Sequence, residues 1–378
     1  MEINLNRRQF ITSLAAATLL APLTGLAGNR QSIAGNGDYF SAWASSDGHY
    51  FISGFDADGR VKFETPLPGR GHALAIHPHG NHIIAVARRP ETFLLVIDSQ
   101  SGEILHKLES RSGRHFYGHS YFSADGNHLY TTENDFEHSR GVIGVRDVLA
   151  DYQQIDEFSA HGIGPHELAM LSNGRTLVVA NGGILTRPET GRSKLNLDTM
   201  SPSLTYLDAE TGELMEQHKL PQSLHKNSIR HFSVNAKDQI CFAMQYQGQY
   251  QSNDDEILPL VGFHQMGQDI KLLKAPATIT KQMSNYCGSV CSDSSSRWFA
   301  VSSPKGNLIT FWSASDGQFV GSTEVKDGCG IAAGTQNGEF LLSSGTGALS
   351  RYRIGSHKQQ QLNRNSLDKR WDNHIAHL

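Results

Sequence analysis

The stretch GIGPHELAMLSNGRTLVVANGGI, residues 162–184, sets a His-Glu pair at the head of an alternating apolar segment, follows it with a polar turn and ends in a second apolar run. Alternation with a period of two is the mark of a half-buried strand, and a Ser-Asn-Gly break between two such runs is a hairpin. The pattern recurs. GHALAIHPHGNHIIAVARR begins at Gly71, GHSYFSADGNHLYTTEND at Gly118 and RHFSVNAKDQICFAMQYQG at Arg230. Fainter copies begin at Phe40 (FSAWASSDGHYFISGFDADG), Gly288 (GSVCSDSSSRWFAVSSPKG) and Cys329 (CGIAAGTQNGEFLLSSGTG). Several copies are followed by a second hairpin: LLVIDSQSGEIL (94–105), LTYLDAETGELM (204–215) and ITFWSASDGQFV (309–320). There an Asp or Ser ends one strand and a Gly precedes the next, which is tight-turn chemistry. Four strands per unit, repeated around the chain, predict an all-β fold, a seven-bladed β-propeller of four-stranded antiparallel blades. A single such sheet cannot bury both faces, and stacking neighbours around an axis solves that.

The first unit is one strand short. Either ring closure borrows a strand from the far end, or the tail SLDKRWDNHIAHL within 363–378 caps the ring, and the sequence leaves both open. Successive His starts, 72, 119 and 166, are evenly spaced, whereas the step to His231 is longer. The excess is an inserted polar loop at 186–203, matched in the fifth unit by 248–259. Loops of this length lean toward function.

Composition narrows the class. The 378 residues carry a net charge of −4, only 19% charged side chains and 37 glycines, which excludes a coiled coil and a disordered chain. With no basic cluster carrying interleaved aromatics, no nucleic-acid partner is expected. At the N-terminus, NRRQFI (Asn6–Ile11) precedes the apolar run ITSLAAATLLAPLTGLA and small residues suited to cleavage after Ala27. This resembles a twin-arginine export signal. The expected organisation is a signal peptide at 1–27 and one propeller domain at 28–378: an exported, periplasmic monomer with no stable membrane span after cleavage. Cys241, Cys287, Cys291 and Cys329 allow one or two disulfides in an oxidising compartment, with the pairing left open, and the C-x3-C at 287/291 reads as structural cysteines rather than a zinc or haem site.

The ordered series YFSADGNHLYTTENDF, GIGPHEL, GRTLVVANGGI, GRSKLNLDTMSPSLTYLD, SIRHFSV and WDNHIAHL resembles the bacterial domain-of-unknown-function family 1513. The resemblance covers nearly all of the expected mature chain. It implies an exported seven-bladed propeller and an association with periplasmic iron-uptake clusters, beside imelysin-like and dihaem peroxidase-like proteins. It implies no established activity.

The residue that opens the innermost strand of a blade stands at the mouth of the central channel. His72, His119, His166 and His231 hold that place in four successive units, so they are candidate metal ligands facing one another around the axis. Four imidazoles without a carboxylate favour copper, zinc or haem-type iron over calcium or magnesium. The competing reading makes each Gly-His a structural link between turn and strand. That reading predicts a His in every unit, and the last two lack it. Glu167 follows His166 directly, and strand alternation predicts that it points away from the site.

Further ligand-binding candidates lie on the same rim by analogy between blades: Glu133, Asn134 and neighbouring Asp135 at the end of a second strand, Asn181 at the equivalent place one unit on, Arg230 for a carboxylate or phosphate, and Lys194, Asn196 and Asp198 in the long loop. Nucleophile elbows, H-E-x-x-H and nucleotide loops are missing. The preferred function is a periplasmic binding protein or scaffold in iron, other metal or haem acquisition, with iron-uptake or redox proteins as partners. Its rivals are a propeller-type enzyme, lactonase-like hydrolase or metal-dependent oxidoreductase, and a pure interaction module.

Overall fold

The computed structural model describes residues 38–378 apart from 89–90, 192, 249–256 and 363–367. The expected export signal lies outside the described residues, as does most of the loop at 248–259. Six of the seven sheets have four strands in a simple up-and-down order, and they follow one another along the chain. Blade 2 begins with Gly71–Ile76, blade 3 with Arg114–Phe122, blade 4 with Pro165–Met170 and blade 5 with Asn227–Val234. Blades 6 and 7 begin with Ser289–Ser292 and Gly328–Ala333. In each, the first strand is innermost.

Blade 1 is different, and it settles how the ring closes. Its strands Tyr39–Ala44, Tyr50–Phe55 and Val61–Leu67 are joined on the inner side by two short pieces of the tail, Arg370–Trp371 and Ala376–His377. The borrowed strand is therefore the innermost one, and the copy beginning at Phe40 is the second strand of its blade rather than the first. Trp371 pairs with Trp43 and Ala376 with Phe40, so five steps along the tail face three along its partner. The surplus makes Asp372–Ile375 bulge out of the sheet.

Why these residues form blades is visible in their burial. The second strand of blade 2, His82–Ala87, is buried along nearly its whole length, while the outermost strand, Ile104–Glu109, is mostly exposed. A strand covered on both faces must read as a continuous apolar run, and an edge strand must not. The apolar core accordingly divides into seven clusters, each shared by two neighbouring blades. The seam between blades 7 and 1 packs Trp371 and Ile375 of the tail against Tyr39, Phe55 and Leu341. Turn chemistry follows expectation: the Asp208 carboxylate accepts the Glu210 and Thr211 N–H groups, and Gly212 turns with φ +70° where a Cβ would strike Phe158. All four cysteines are free thiols. Among the described residues no helix is long and apolar enough to cross a membrane.

Candidate metal centre

The inner strands of blades 2 to 5 lose register with their neighbours at the histidine or beside it. The breaks lie between Gly71 and Leu74, Phe116 and Ser120, Pro165 and Glu167, and Ile229 and His231. A bulge leaves its extra residue unpaired and re-aims the side chain. Here it turns His72, His119, His166 and His231 inward onto the axis. The bulge in the tail adds a fifth, His374, whose carbonyl is held by the Ser41 hydroxyl at 2.7 Å. Gly118 is demanded by this packing. Its φ is +104°, and a Cβ there would lie 2.5 Å from the His72 ring.

The rings crowd together. Centroids are 4.6 Å apart for His166–His231, 4.7 Å for His119–His374 and for His72–His374, 4.9 Å for His119–His166 and 5.0 Å for His72–His119. Two sets of nitrogens, His72/His119/His166 and His119/His231/His374, each lie within 4.8 Å of one another. His119 belongs to both. Around an ion held at roughly 2.0–2.1 Å per nitrogen, donors stand closer than this limit, so an ion would draw the rings inward.

Two acidic side chains orient the rings from behind, Asp372 as an ionised carboxylate and Glu167 as a weaker acid. Asp372 Oδ1 lies 3.3 Å from His72 Nδ1, and Glu167 Oε2 lies 3.2 Å from His231 Nδ1. Burial alone would push Asp372 up, but the His72 hydrogen bond and the Arg88 and Arg70 charges hold it far below the usual carboxylate range. Burial pulls His72 down to about 4. A neutral imidazole beside an ionised carboxylate donates from Nδ1, which leaves Nε2 with its lone pair. Burial likewise keeps His119, His166, His231 and His374 well below the ordinary histidine value. His119 Nε2, His166 Nδ1 and His374 Nε2 are buried without a hydrogen-bond partner. Buried nitrogens of this kind are costly unless something occupies their lone pairs.

Glu167 corrects an expectation. It was predicted to point away, yet it reaches His231, stands 3.7 Å from His119 Nδ1 and accepts the Phe232 N–H at 3.0 Å. The bulge at Pro165/Glu167 breaks the alternation on which that prediction rested. Burial raises Glu167 to about 8, with the Phe232 hydrogen bond opposing.

The other candidates separate. Arg230 is the bulge residue of blade 5 and lines a small cavity of about 100 Å³ on one side of the histidines, with His72, Arg88, Tyr117, His166 and His231. Lys194 belongs near this mouth, because Arg230 and Lys305 depress its pKa after burial does. Glu133 is not on the rim. It is fully buried inside blade 3, bonded to Thr131 and paired with Arg146 at 3.3 Å. Asn134 bonds His115 and the Thr186 carbonyl, one layer behind Tyr117. Asn181 donates to the Ala160 carbonyl and Thr205, tying strands together. Both face into the sheet because the second strand of a blade is covered on either side. Asn196 accepts the Leu185 N–H and donates to the Gly183 carbonyl, so it folds its own loop, and Asp198 pairs with Lys226 at 3.0 Å. Asp135, Glu137 and His138 form another donor set, but Asp135 is occupied by Arg114, Arg140 and His138.

Sequence reasoning missed His374, Asp372 and Arg88. The first two lie in the tail segment Trp371–His374, and only the strand it lends to blade 1 brings them to the axis. On the opposite side of the histidines a cavity of about 750 Å³ runs along the channel from His119, Glu167 and His374 toward the turns at Pro78, Gly174 and Asn235.

Comparison with known proteins gives a fold and a family. A chain of Kuenenia stuttgartiensis hydrazine synthase superposes with a TM-score of 0.58 at 13% identity, covering 85% of this chain and 94% of that one, a likeness of fold alone. No curated protein matches the sequence. A family model described as "Protein of unknown function (DUF1513)" matches residues 65–378, a span that takes in all five channel histidines. The chain belongs to the DUF1513 family.

Proposed function

We propose that this protein is a metal-binding β-propeller, holding one transition-metal ion among His72, His119, His166, His231 and His374, and that it serves iron or other metal acquisition outside the cytoplasm. The observation that carries the reading is the pair of overlapping donor sets, His72/His119/His166 and His119/His231/His374, which share His119 and include three residues with a buried, unpartnered ring nitrogen, beside Asp372 on His72 and Glu167 on His231. A carboxylate behind a ligating imidazole fixes its tautomer and raises its basicity, and that arrangement is characteristic of metal sites. The donor set is almost wholly nitrogen, which suits iron, copper, zinc or nickel and does not suit calcium or magnesium. Rings this close favour a bare ion over a haem, because a porphyrin needs a planar slot between its axial ligands. Export to the periplasm is supported by the arginine pair and apolar run near the N-terminus.

A second reading has its own support. Glu167 is a partly buried acid raised to about 8 at the inner end of the large cavity, and groups so perturbed in a cleft are candidates for proton transfer. In that case the same ion serves a metal-dependent oxidoreductase or hydrolase.

The test is metal content of untagged protein purified from the periplasm, compared with His119→Ala and His166→Ala. Near-stoichiometric metal in the wild type, lost in both folded variants, is the expected result. A wild-type protein that is empty and takes up no added iron, copper or zinc would return the histidines to the scaffold. Turnover that tracks metal content would favour the enzyme.

A further inference from the structure

We propose that the 100 Å³ antechamber beside the histidines is an anion subsite, built to hold one small carboxylate or oxyanion against the metal ion. This rests on the metal reading and names the co-ligand that the same site takes. The cavity has space for roughly three waters, which is also the size of one small anion. It is lined by Arg88, Arg230, Tyr117, Tyr286, Gln245 and Asn373 besides the histidines, with no acidic residue among them. The Tyr117 hydroxyl is bonded to Thr186 and the Gln245 amide donates to the Cys287 carbonyl, which leaves the two arginines with Tyr286 and Asn373 as the groups to meet an anion. Guanidinium groups bind carboxylates and oxyanions through paired N–H donors, and the Tyr286 phenol and the Asn373 amide are donors of the kind that add to such a shell.

Position joins this cavity to the metal. His72, His166 and His231 line it and also belong to the donor sets, so an occupant shares a boundary with the ion. Charge asks for an anion there. Neutral imidazoles do nothing to offset a divalent cation, and two guanidiniums beside it add to the positive field. Asp372 is engaged by His72, Arg70 and Arg88. Glu167 lies along the other cavity. Lys194, near enough to Arg230 and Lys305 for both charges to act on it, extends the positive field outward and would draw anions to the mouth. The bulge that places Arg230 is the one that turns His231 inward, so one irregularity of blade 5 positions a metal ligand and an anion donor together.

The experiment loads the full-length mature protein with cobalt(II) and titrates it with acetate, bicarbonate or phosphate, reading the visible ligand-field spectrum. Saturable spectral change is expected in the wild type. Arg230→Gln is expected to keep its cobalt while binding the anion about tenfold more weakly or worse. Arg88→Lys, which keeps the charge beside Asp372 but loses the fork, should weaken it similarly if Arg230→Gln misfolds. Cobalt bound with a spectrum indifferent to all three anions would overturn the proposal and leave the metal reading standing. Should the wild type bind no cobalt, the metal reading falls, and calorimetry on metal-free protein decides the subsite. Anion binding that Arg230→Gln abolishes would support it, and no binding would overturn it.

Discussion

The inner strands of blades 2 to 5 and those of blades 6 and 7 occupy equivalent places in the ring, yet they present different chemistry to the axis. Blades 2 to 5 offer His72, His119, His166 and His231. Blade 6 offers Ser289 on a strand paired without a register break, and blade 7 offers Cys329 and Gly330 in a bulge of its own. Both blades pack and close as well as the others. A propeller blade of this chain therefore needs no histidine at that position. Gly330 shows what stands there instead: a Cβ on it would meet Ile375 at 2.8 Å and the His374 backbone, so the tail fills the space that a ring would take. The tail then contributes the fifth histidine itself. Ring closure and the site are built from one segment.

The largest expected effect follows from that coupling. Trp371 is 4% exposed in the seam between blades 7 and 1, and its Nε1–H donates to the Gly347 carbonyl. Trp371→Ala should cost about 3–5 kcal/mol, by denaturant unfolding, and weaken metal binding with it. Trp312 is as deeply buried between blades 5 and 6. Trp312→Ala should cost a similar amount and leave metal affinity in the folded fraction intact. Equal losses of affinity in the two variants would break the link between closure and site.

Acid should separate the two halves next. His72 falls to about 4 on burial, from 6.5 when exposed. A base whose folded value is depressed stabilises the fold fully above its unfolded value and loses that contribution as pH falls through the folded one. For His72 alone this amounts to about 3 kcal/mol between pH 6.5 and 4. Glu167, raised to about 8, acts in reverse: its contribution is present below its unfolded value of 4.5 and is lost as pH rises through 8. Metal-free protein should thus lose stability steeply on the acid side, and His72→Gln should flatten that slope. An unchanged slope would mean that the channel histidines take up protons without unfolding.

How far the sequence carried the reading depends on the kind of signal. Alternation and turn residues are local, so the blades, their number and the inward place of His72, His119, His166 and His231 were legible. Glu167 was misread because a bulge breaks the period on which face assignment depends, and residues 165–167 carry no mark of it. Glu133, Asn134 and Asn181 were placed on the rim by analogy between blades, but the second strand is sandwiched, and their partners are in the sheet. Asp372 and His374 lie some 300 residues from His72 in the chain. Only closure of the ring makes them neighbours, and no local pattern announces it.

Asp372 also gives the next sharpening of the contrast. Asp372→Asn keeps the shape but replaces an ionised acceptor by an amide, so His72 loses the partner that holds its tautomer. Metal affinity should fall about 10- to 100-fold, measured by competition with a chelator. Asp293 is a buried aspartate that binds the turns of blades 6 and 7 through the Trp298 and Gly338 N–H groups. Asp293→Asn should cost stability and leave metal affinity unchanged.

The smallest effect belongs to the loop at 186–203. Lys194 is exposed, and its influence reaches the mouth only through the field it shares with Arg230 and Lys305. Removing an exposed charge without a rigid partner changes stability by no more than about 0.5 kcal/mol. Lys194→Ala should therefore leave unfolding and metal content alone. Its effect should fall on the rate at which a charged ligand enters, and it should vanish in high salt, because exposed charges are screened beyond about 8 Å at physiological ionic strength. Stopped-flow loading at low and high salt measures this. A salt-independent change would place the Lys194 ammonium inside the site rather than at its approach, and the contrast between the histidine-bearing blades and the loop above them would have to be redrawn.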